Sequence, residues 1–299
     1  MVTVFLRGGL GNQMFQYATG LSLAKKQETE VVFDTVFLND RFPRKDFAYR
    51  TYDLDIFTLD QHFTSLSKIS AKFPIPGVWL GLDLSLSKVW DILGTQKILR
   101  EKDDYLFDVS ILEAGPDVLL WGRWQNEKYF KDIESDVRAA FRFRNPLNAE
   151  AVAIAKEIEA TNSVSLHIRR GDYAAFKTTQ KLWGGTDLDY YHRAAKHIAA
   201  QIEHPQFYIF SDDIAWSREN LKLEYPMTFV PASAAGAKGE CHLELMSLCK
   251  YHIITNSTFS WWGAWLDPRP DKTVIAPKQW QASPKVMSTE LVPADWILL

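Results

Sequence analysis

The sequence predicts an α/β protein with two Rossmann-like domains facing a cleft. Its 299 residues suffice for two domains, and short apolar strands alternate with helical stretches in both halves. A turn-rich break at 142–148, RFRNPLN, separates the halves. We predict a boundary in the helical stretch after this break, which gives domains at 1–155 and 156–299.

The N-terminal half opens with a β-α-β pattern and then becomes less regular. Apolar runs predict strands at 2–7, 30–34 and 118–124, and apolar periodicity predicts helices at 12–27 and 129–141. The stretch 41–118 mixes both patterns and predicts no clear element. The opening unit is typical of a Rossmann-like domain.

The C-terminal half alternates strand and helix throughout. Strands are predicted at 163–170, 207–213, 227–232, 251–257 and 273–277. Helices are predicted at 149–160, 189–202, 215–221, 240–250 and 259–266. This order is typical of a doubly wound, mostly parallel sheet, in which a ligand binds at the carboxyl ends of the strands.

Composition indicates an ordinary globular protein and excludes nucleic acid as the main partner. The chain is 46% hydrophobic and 24% charged, and its formal net charge is −3. Cys241 and Cys249 lie eight residues apart on one predicted helix. That spacing separates them by roughly 12 Å, which is too far for a disulfide. The chain therefore fits a reducing compartment.

We expect a cytoplasmic protein. The N-terminus has no charged start and no small-residue cleavage site, and no stretch reaches 18 uninterrupted apolar residues. The apolar segment 73–93 is the candidate for peripheral contact with the inner face of the membrane, although a buried hairpin or helix is the favoured interpretation.

Three predicted strands end in polar clusters, at 167–170, 211–213 and 256–258, which should reach the same edge of the sheet. Arginine binds phosphate well because its rigid fork donates two parallel hydrogen bonds. A helix start after Asn256 or Ser257 would add an anion site. Asp212 and Asp213 would then contact a ribose or a base. The alternatives are structural: arginines paired with carboxylates such as Asp172, and ordinary helix caps.

A glycine-rich turn follows the first strand. Gly9 and Gly11 are spaced as in a dinucleotide-binding fingerprint, but Met14 occupies the third glycine position and would push the helix away from the strand. An NAD(P)-dependent oxidoreductase is therefore kept only as the alternative function. The glycines are better explained as a tight turn that places Asn12 and Gln13 at the cleft.

Four motifs together resemble one known family. They are GGLGNQMFQYA (8–18), HIRRGDY (167–173), FSDD (210–213) and LMSLCKYHIITNSTFSWWGAWL (245–266). In sequence and order they resemble the α-1,2-fucosyltransferases of glycosyltransferase family 11. The resemblance implies a GT-B-like fold and transfer of L-fucose from GDP-β-L-fucose to the 2-hydroxyl of a galactose-type sugar, with inversion. It also implies that no metal and no cofactor is needed.

The resemblance also implies residue roles. Arg169 would hold the β-phosphate and Asn12 would face the sugar, which makes both catalytic candidates. The implied donor-binding residues are His167, Arg170, Asp212, Asp213, Glu240, Ser257, Thr258 and Phe259. The implied acceptor-side loop, in the N-terminal domain, comprises Gly9, Gly11 and Gln13. The expected partners are GDP-fucose and an oligosaccharide or glycolipid acceptor; no clear general base is indicated.

One position departs from the family pattern. Members commonly carry Asp three residues before Leu-Met-Ser, where this chain has His242. A carboxylate accepts both guanine N–H groups, and an imidazole does not match that fork. Either Glu240 replaces the missing carboxylate or the backbone recognises guanine. A further alternative is a protein that binds the nucleotide or sugar without catalysis.

Two acidic triplets could suggest a metal site. Asp53-Leu54-Asp55 and Asp187-Leu188-Asp189 have the spacing of a cation-binding turn, but neither follows a clear buried strand. We expect no metal at either triplet.

Overall fold

The computed structural model describes residues 1–39, 41, 48–63, 97–103, 106–171, 186–281 and 288–299. The chain forms two compact units, Met1–Arg142 and Phe143–Leu299. The predicted boundary at 155/156 would cut the continuous helix Ala149–Ala160, which belongs wholly to the second unit.

The segment 73–93, the candidate for contact with a membrane, lies outside the described residues. None of the described helices is both long and apolar enough to cross a bilayer.

The first unit is built on a four-stranded parallel sheet. Its strands are β1 (Val2–Phe5), β2 (Val31–Asp34), β3 (Lys97–Arg100) and β4 (Val118–Trp121), in the order β2-β1-β4-β3. Its helices are α1 (Leu10–Lys26), α2 (Val36–Asn39) and α3 (Glu134–Ala140), with 3-10 turns at Leu54–Ile56, Val109–Ile111, Glu127–Tyr129 and Lys131–Ile133. The sequence did not indicate β3, which lies in the stretch without a clear pattern.

Helix α1 packs closely on β1 despite Met14. A Cβ at Gly20 would lie 2.4 Å from Val4 Cγ2, so only glycine permits this approach. Met14 itself is fully buried in the core. The expectation that Met14 separates helix from strand was therefore wrong, because the small residue that permits close contact lies six positions further along α1.

The second unit contains a six-stranded parallel sheet in the order β10-β9-β8-β5-β6-β7. Its strands are β5 (Asn162–Ile168), β6 (Pro205–Ser211), β7 (Met227–Phe229), β8 (Tyr251–Ile253), β9 (Thr273–Ala276) and β10 (Ile297–Leu298). Its helices are α4 (Ala149–Ala160), α5 (Leu188–Ala199), α6 (Ile214–Asn220), α7 (Glu240–Leu248) and α8 (Thr258–Leu266), with 3-10 turns at Ala232–Ala234 and Ser288–Glu290. The predicted doubly wound parallel sheet is confirmed.

Apolar side chains cover both faces of this second sheet. Leu166 and Ile168 pack with Tyr190 of α5, whereas Phe210 packs with Leu245 of α7. Cys241 and Cys249 form no disulfide, as predicted, and both are buried. Burial on both faces explains why β6 carries a continuous apolar run at 207–210.

A buried polar row crosses the core of the second unit. Ser165 Oγ lies 2.9 Å from His252 Nδ1, and His252 Nε2 lies 2.9 Å from Asp267 Oδ2. Asp267 also accepts from Arg269 Nε at 2.8 Å. The residue types are those of a hydrolytic triad, but Ser165, His252 and Asp267 are all buried from solvent. The row is therefore a structural element, since a nucleophile needs access to its substrate.

Candidate functional site

The site of greatest interest lies where the chain order of the second sheet reverses. Strand β5 pairs in parallel with β6 on one side and with β8 on the other. The carboxyl ends of these three strands are therefore adjacent, as the sequence predicted. Such a switch point is where open parallel sheets bind ligands.

Asp212 fixes the turn that follows β5. Its carboxylate accepts from the backbone N–H groups of Arg170, at 2.8 Å, and Gly171, at 3.0 Å. It also pairs with Arg169 Nη1 at 2.8 Å. A Cβ at Gly171 would lie 2.5 Å from Asp212 Oδ2, so a larger residue there would displace this carboxylate. Asp212 thus orients Arg169, whose side chain is 23% exposed.

Arg170 is held by α6. Its guanidinium carbon lies 3.7 Å from the ring centroid of Trp216, and its Nε lies 3.4 Å from Asp213 Oδ2. Asp213 also caps α6, accepting from Trp216 N at 3.1 Å. The observed contacts of Asp212 and Asp213 are ion pairs and a helix cap, as in the structural alternative. Their contact with a ribose or a base stays a prediction. Asp172 lies outside the described residues.

The start of α8 has no side-chain cap. Ser257 occupies the N-cap position without a side-chain hydrogen bond, and no acidic residue lies in the first turn. Asn256 instead donates to Trp280 O at 3.1 Å. Within the described part of the chain, the backbone N–H groups of residues 258–260 find no acceptor. The expected side-chain cap is therefore absent, and the helix start can receive an anion.

His167 joins the end of β5 to this helix start. Its ring lies 5.8 Å from that of Phe259, and its Nδ1 has no hydrogen-bond partner among the described residues. Burial lowers the pKa of His167 to about 3; nearby Asp212 opposes the shift and Arg169 adds to it. The imidazole is therefore neutral at physiological pH and leaves the positive charge of the site to arginine.

His242 and Glu240 lie on α7. His242 Nε2 donates to Pro231 O at 3.0 Å, and burial lowers the pKa of this imidazole. Glu240 accepts from the N–H groups of Ala237, at 3.1 Å, and Lys238, at 2.7 Å. Its carboxylate thus already closes the loop before α7, with one lone pair left on each oxygen.

The free energy of unfolding should fall as the pH drops below about 6.5. Burial lowers the pKa values of His167, His242 and His252 in the folded state. In that range the unfolded chain binds more protons, so each histidine contributes a loss of up to about 1.4 kcal/mol per pH unit. Urea unfolding at several pH values measures this slope. His242→Gln should reduce this slope; a slope equal to that of wild type would contradict the assignment to His242.

The glycine turn of the first unit differs from its predicted role. Gly9 is the N-cap of α1, and Gly11 lies inside the helix. Gln13 is fully buried: it donates to Gly8 O at 2.9 Å and to Thr51 O at 2.8 Å, and accepts from Asp53 N at 2.9 Å. Gln13 therefore fastens the turn to the loop 51–53, and its amide is not presented to a ligand.

Asn12 is the partly exposed polar residue of this turn, and its Oδ1 accepts from Gln125 Nε2 at 2.8 Å. No sequence pattern indicates Gln125, which follows β4 and lies 113 residues from Asn12 along the chain. The neighbouring Trp124 has a positive φ of 56°, which is rare for a bulky residue.

The two acidic triplets have local structural roles. Asp187 caps α5 by accepting from Tyr190 N at 2.8 Å, and Asp189 pairs with Arg193 at 2.8 Å. Asp53 precedes a 3-10 turn and donates its N–H to Gln13. Among the described residues, no three His, Cys, Asp or Glu side chains are grouped to hold a metal ion.

Two parallel sheets, with an arginine and an uncapped helix start at neighbouring strand ends of one switch point, are typical of a protein that binds an anionic nucleotide. The family model described as Glycosyl transferase family 11 matches residues 1–299. The chain belongs to this family and is a glycosyltransferase. This membership confirms the predicted family and sets aside the oxidoreductase alternative.

Individual relatives agree with this assignment. An alpha-1,2-colitosyltransferase of Escherichia coli is 31% identical over 297 residues, covering 99% of this chain and 98% of the relative. The galactoside 2-alpha-L-fucosyltransferase Sec1 of Mus musculus is 23% identical, covering 89% and 64%. A mutant of FUT1 from Arabidopsis thaliana, solved with GDP, is similar in fold with a TM-score of 0.53 at 11% identity, covering 98% and 74%. The predicted GT-B-like α/β class is confirmed.

Proposed function

We propose that this chain transfers L-fucose from GDP-β-L-fucose to the 2-hydroxyl of a galactose-type acceptor, with inversion and without a metal. The observation that carries the proposal is the switch point of the second sheet. There His167 meets Phe259, while Arg169 and the uncapped start of α8 supply positive charge.

The chemistry follows from where charge develops. When the bond between the sugar C1 and the diphosphate breaks, negative charge grows on the β-phosphate. Arg169 and the N–H groups at the start of α8 stabilise that charge without moving, because Asp212 and the helix already hold them. The acceptor hydroxyl attacks C1 from the opposite face and loses its proton to solvent or to a weak base.

Colitosyl transfer is the second candidate, since the E. coli relative carries that name. Colitose is L-fucose without its 3-hydroxyl, so the two donors place the same diphosphate at the leaving position. The test incubates the protein with GDP-L-fucose or GDP-L-colitose and a β-galactoside, then determines the new linkage and anomer by NMR. No transfer from either donor, with or without donor hydrolysis, would overturn the proposal. GDP binding without any donor turnover would favour the non-catalytic alternative.

Guanine recognition is expected to depend on Glu240. Glu240→Gln should weaken GDP binding much more than His242→Ala, because the single free imidazole acceptor of His242 cannot match two guanine N–H groups. Isothermal titration with GDP measures both effects. Glu244→Gln, one turn further along α7, is the matched control. Equal GDP affinities of the Glu240 and His242 variants would refute the replacement of the missing carboxylate by Glu240. A loss of GDP affinity in Glu244→Gln alone would assign the guanine contact to Glu244.

Activity is expected to persist without divalent metal. Initial transfer rates in excess EDTA after exhaustive dialysis should remain close to those with magnesium, because Arg169 and the helix start supply the neutralising charge. Loss of more than about nine-tenths of the rate, restored by magnesium or manganese, would mean that a cation shares this role.

A further inference from the structure

The turn after β5 is anchored in part by a single carboxylate. Asp212 accepts from the backbone N–H groups of Arg170 and Gly171 and pairs with Arg169 Nη1. Two of these three contacts use the same oxygen, Oδ2, and the Asp212 side chain is 25% exposed. A partly exposed carboxylate that is shared in this way fixes the turn, and Arg169 with it, only in part.

Trp216 of α6 supplies a second anchor for this turn. The guanidinium carbon of Arg170 lies 3.7 Å from the centroid of the Trp216 ring, within the range of a cation–π contact. The pairing of Arg170 with Asp213 is looser. The Arg170 Nε lies 3.4 Å from Asp213 Oδ2, and this buried nitrogen forms no hydrogen bond within the described part of the chain. Stacking on Trp216 is therefore the better-formed of these two contacts.

Trp216 is itself fixed to the second sheet. Its N–H donates to Asp213 Oδ1 at 3.1 Å, and its carbonyl oxygen accepts from Asn220 Nδ2 at 2.8 Å. Its side chain packs, partly buried, against the core cluster that contains Phe207 and Ile209 of β6. A packed ring does not turn freely, so the Arg170 side chain that lies on it is held in one place.

We infer that Trp216 is a positioning residue for the leaving-group site, because it holds Arg170 and thereby the turn that carries Arg169. Arg170 then stays on Trp216 when a nucleotide binds, and its implied role in donor binding is indirect. The inference rests on the proposed function only for the role of Arg169 at the β-phosphate. Without the ring, Asp212 alone would hold the turn, and Arg169 would keep its charge but lose part of its fixed orientation.

Isothermal titration with GDP and with GMP isolates the contact with the β-phosphate. Wild type should prefer GDP. Trp216→Leu should reduce this preference about three- to tenfold, as expected for the loss of a cation–π contact, without a change in the affinity for GMP. Trp216→Phe keeps a ring face and should retain most of the preference. An equal loss of affinity for both nucleotides in Trp216→Leu would indicate a general structural role and overturn the inference.

The matched control is Phe229→Leu. The Phe229 ring lies 4.9 Å from the guanidinium carbon of Arg218, which forms a second arginine–aromatic pair on α6. This variant should keep the wild-type preference for GDP, which would show that the effect belongs to the Arg170 pair. The same loss of preference in Phe229→Leu would overturn the inference.

A double-mutant cycle tests the route through Arg170. Arg170→Met keeps the apolar stem and removes the cation, so it should lower the preference for GDP as much as Trp216→Leu does. The double variant should lower it no further, because both changes break one interaction. Additive losses would overturn the inference. A much larger loss in Arg170→Met than in Trp216→Leu would also overturn it, since Arg170 would then contact the phosphate directly.

The Nε–H NMR signals of the two arginines give a measurement that needs no Trp216 variant. They are identified by their loss in Arg169→Lys and Arg170→Met. Addition of GDP should shift the Arg169 signal and leave the Arg170 signal in place. If Trp216→Leu does not fold, the Arg170 signal decides alone: an unmoved signal supports the inference, and a shift as large as that of Arg169 overturns it.

Failure of the proposed function would be recognised separately. Neither GDP nor GMP carries a sugar, so their binding does not depend on which sugar the chain transfers. Absence of donor turnover with a normal preference for GDP would contradict the proposed transfer and leave the role of Trp216 to the titrations. Equal affinities of wild type for GDP and GMP would overturn the inference itself, because Arg169 would then have no β-phosphate to hold.

Discussion

Arg169→Lys is expected to lower the transfer turnover by about a hundredfold or more, comparable to the loss of one oxyanion donor. Lysine keeps the positive charge but cannot donate two parallel hydrogen bonds to the leaving diphosphate. It would also loosen the pairing with Asp212, now 2.8 Å from Arg169 Nη1, and so lose the fixed orientation. Turnover at saturating donor and acceptor gives the measurement.

The matched control is Arg193→Lys. Arg193 also pairs with an aspartate at 2.8 Å, but on the exposed surface of α5. Such surface pairs contribute little, so its turnover and melting temperature should stay close to wild type. Near-wild-type turnover in Arg169→Lys would remove Arg169 from the mechanism. A fall in both variants would indicate a general effect of the substitution.

The sequence was sufficient to predict the edge of the second sheet that carries the site. Alternation in 165–168 correctly separates Ser165 and His167 from the apolar Leu166 and Ile168. Parallel pairing of β5 with its two neighbours then brings three polar strand ends together. This inference needs only periodicity and the rule that parallel strands end at one edge, both of which are local properties of the chain.

Contacts between distant residues were not predictable in the same way. Gln13 has the same residue type as a ligand-binding amide, but three hydrogen bonds, two of them with the distant Thr51 and Asp53, occupy its side chain within the protein. The pairing of Gln125 with Asn12 joins residues on two different strand exits, and no periodicity reports it. The positive φ of Trp124 was not predictable from the sequence either, because bulky residues rarely adopt a positive φ.

The boundary between the two units was also only partly predictable from the sequence. The turn residues at 142–148 predict a break, whereas the predicted boundary at 155/156 falls inside α4. Helix α4 contributes Ile154 and Ile158 to the core that contains Phe210 of β6. Which sheet an amphipathic helix covers depends on this tertiary packing, whereas its own sequence shows only that one face is apolar.

Asp267→Ala is expected to cost about 3 kcal/mol of unfolding free energy, near the lower end of values for breaking a buried charge pair. Burial alone would raise the pKa of Asp267, but the hydrogen bonds from His252 and Arg269 outweigh it and hold the pKa below its ordinary value. The side chains of Asp267 and His252 are 0% exposed, so removing the carboxylate leaves His252 Nε2 without an acceptor.

The loss of unfolding free energy in Asp267→Ala should stay below the upper end of the values for buried charge pairs, because the Arg269 side chain is 35% exposed and water can solvate part of its charge. Arg269 Nη2 also donates to Leu248 O at 3.1 Å, so the loss should loosen the end of α7 as well. Urea unfolding of Asp267→Ala against Asp271→Ala, an exposed aspartate in the same loop, measures the difference. A loss below about 1 kcal/mol would mean that the polar row contributes no more than an exposed pair, and that apolar packing alone holds β5, β8 and the end of α8 together.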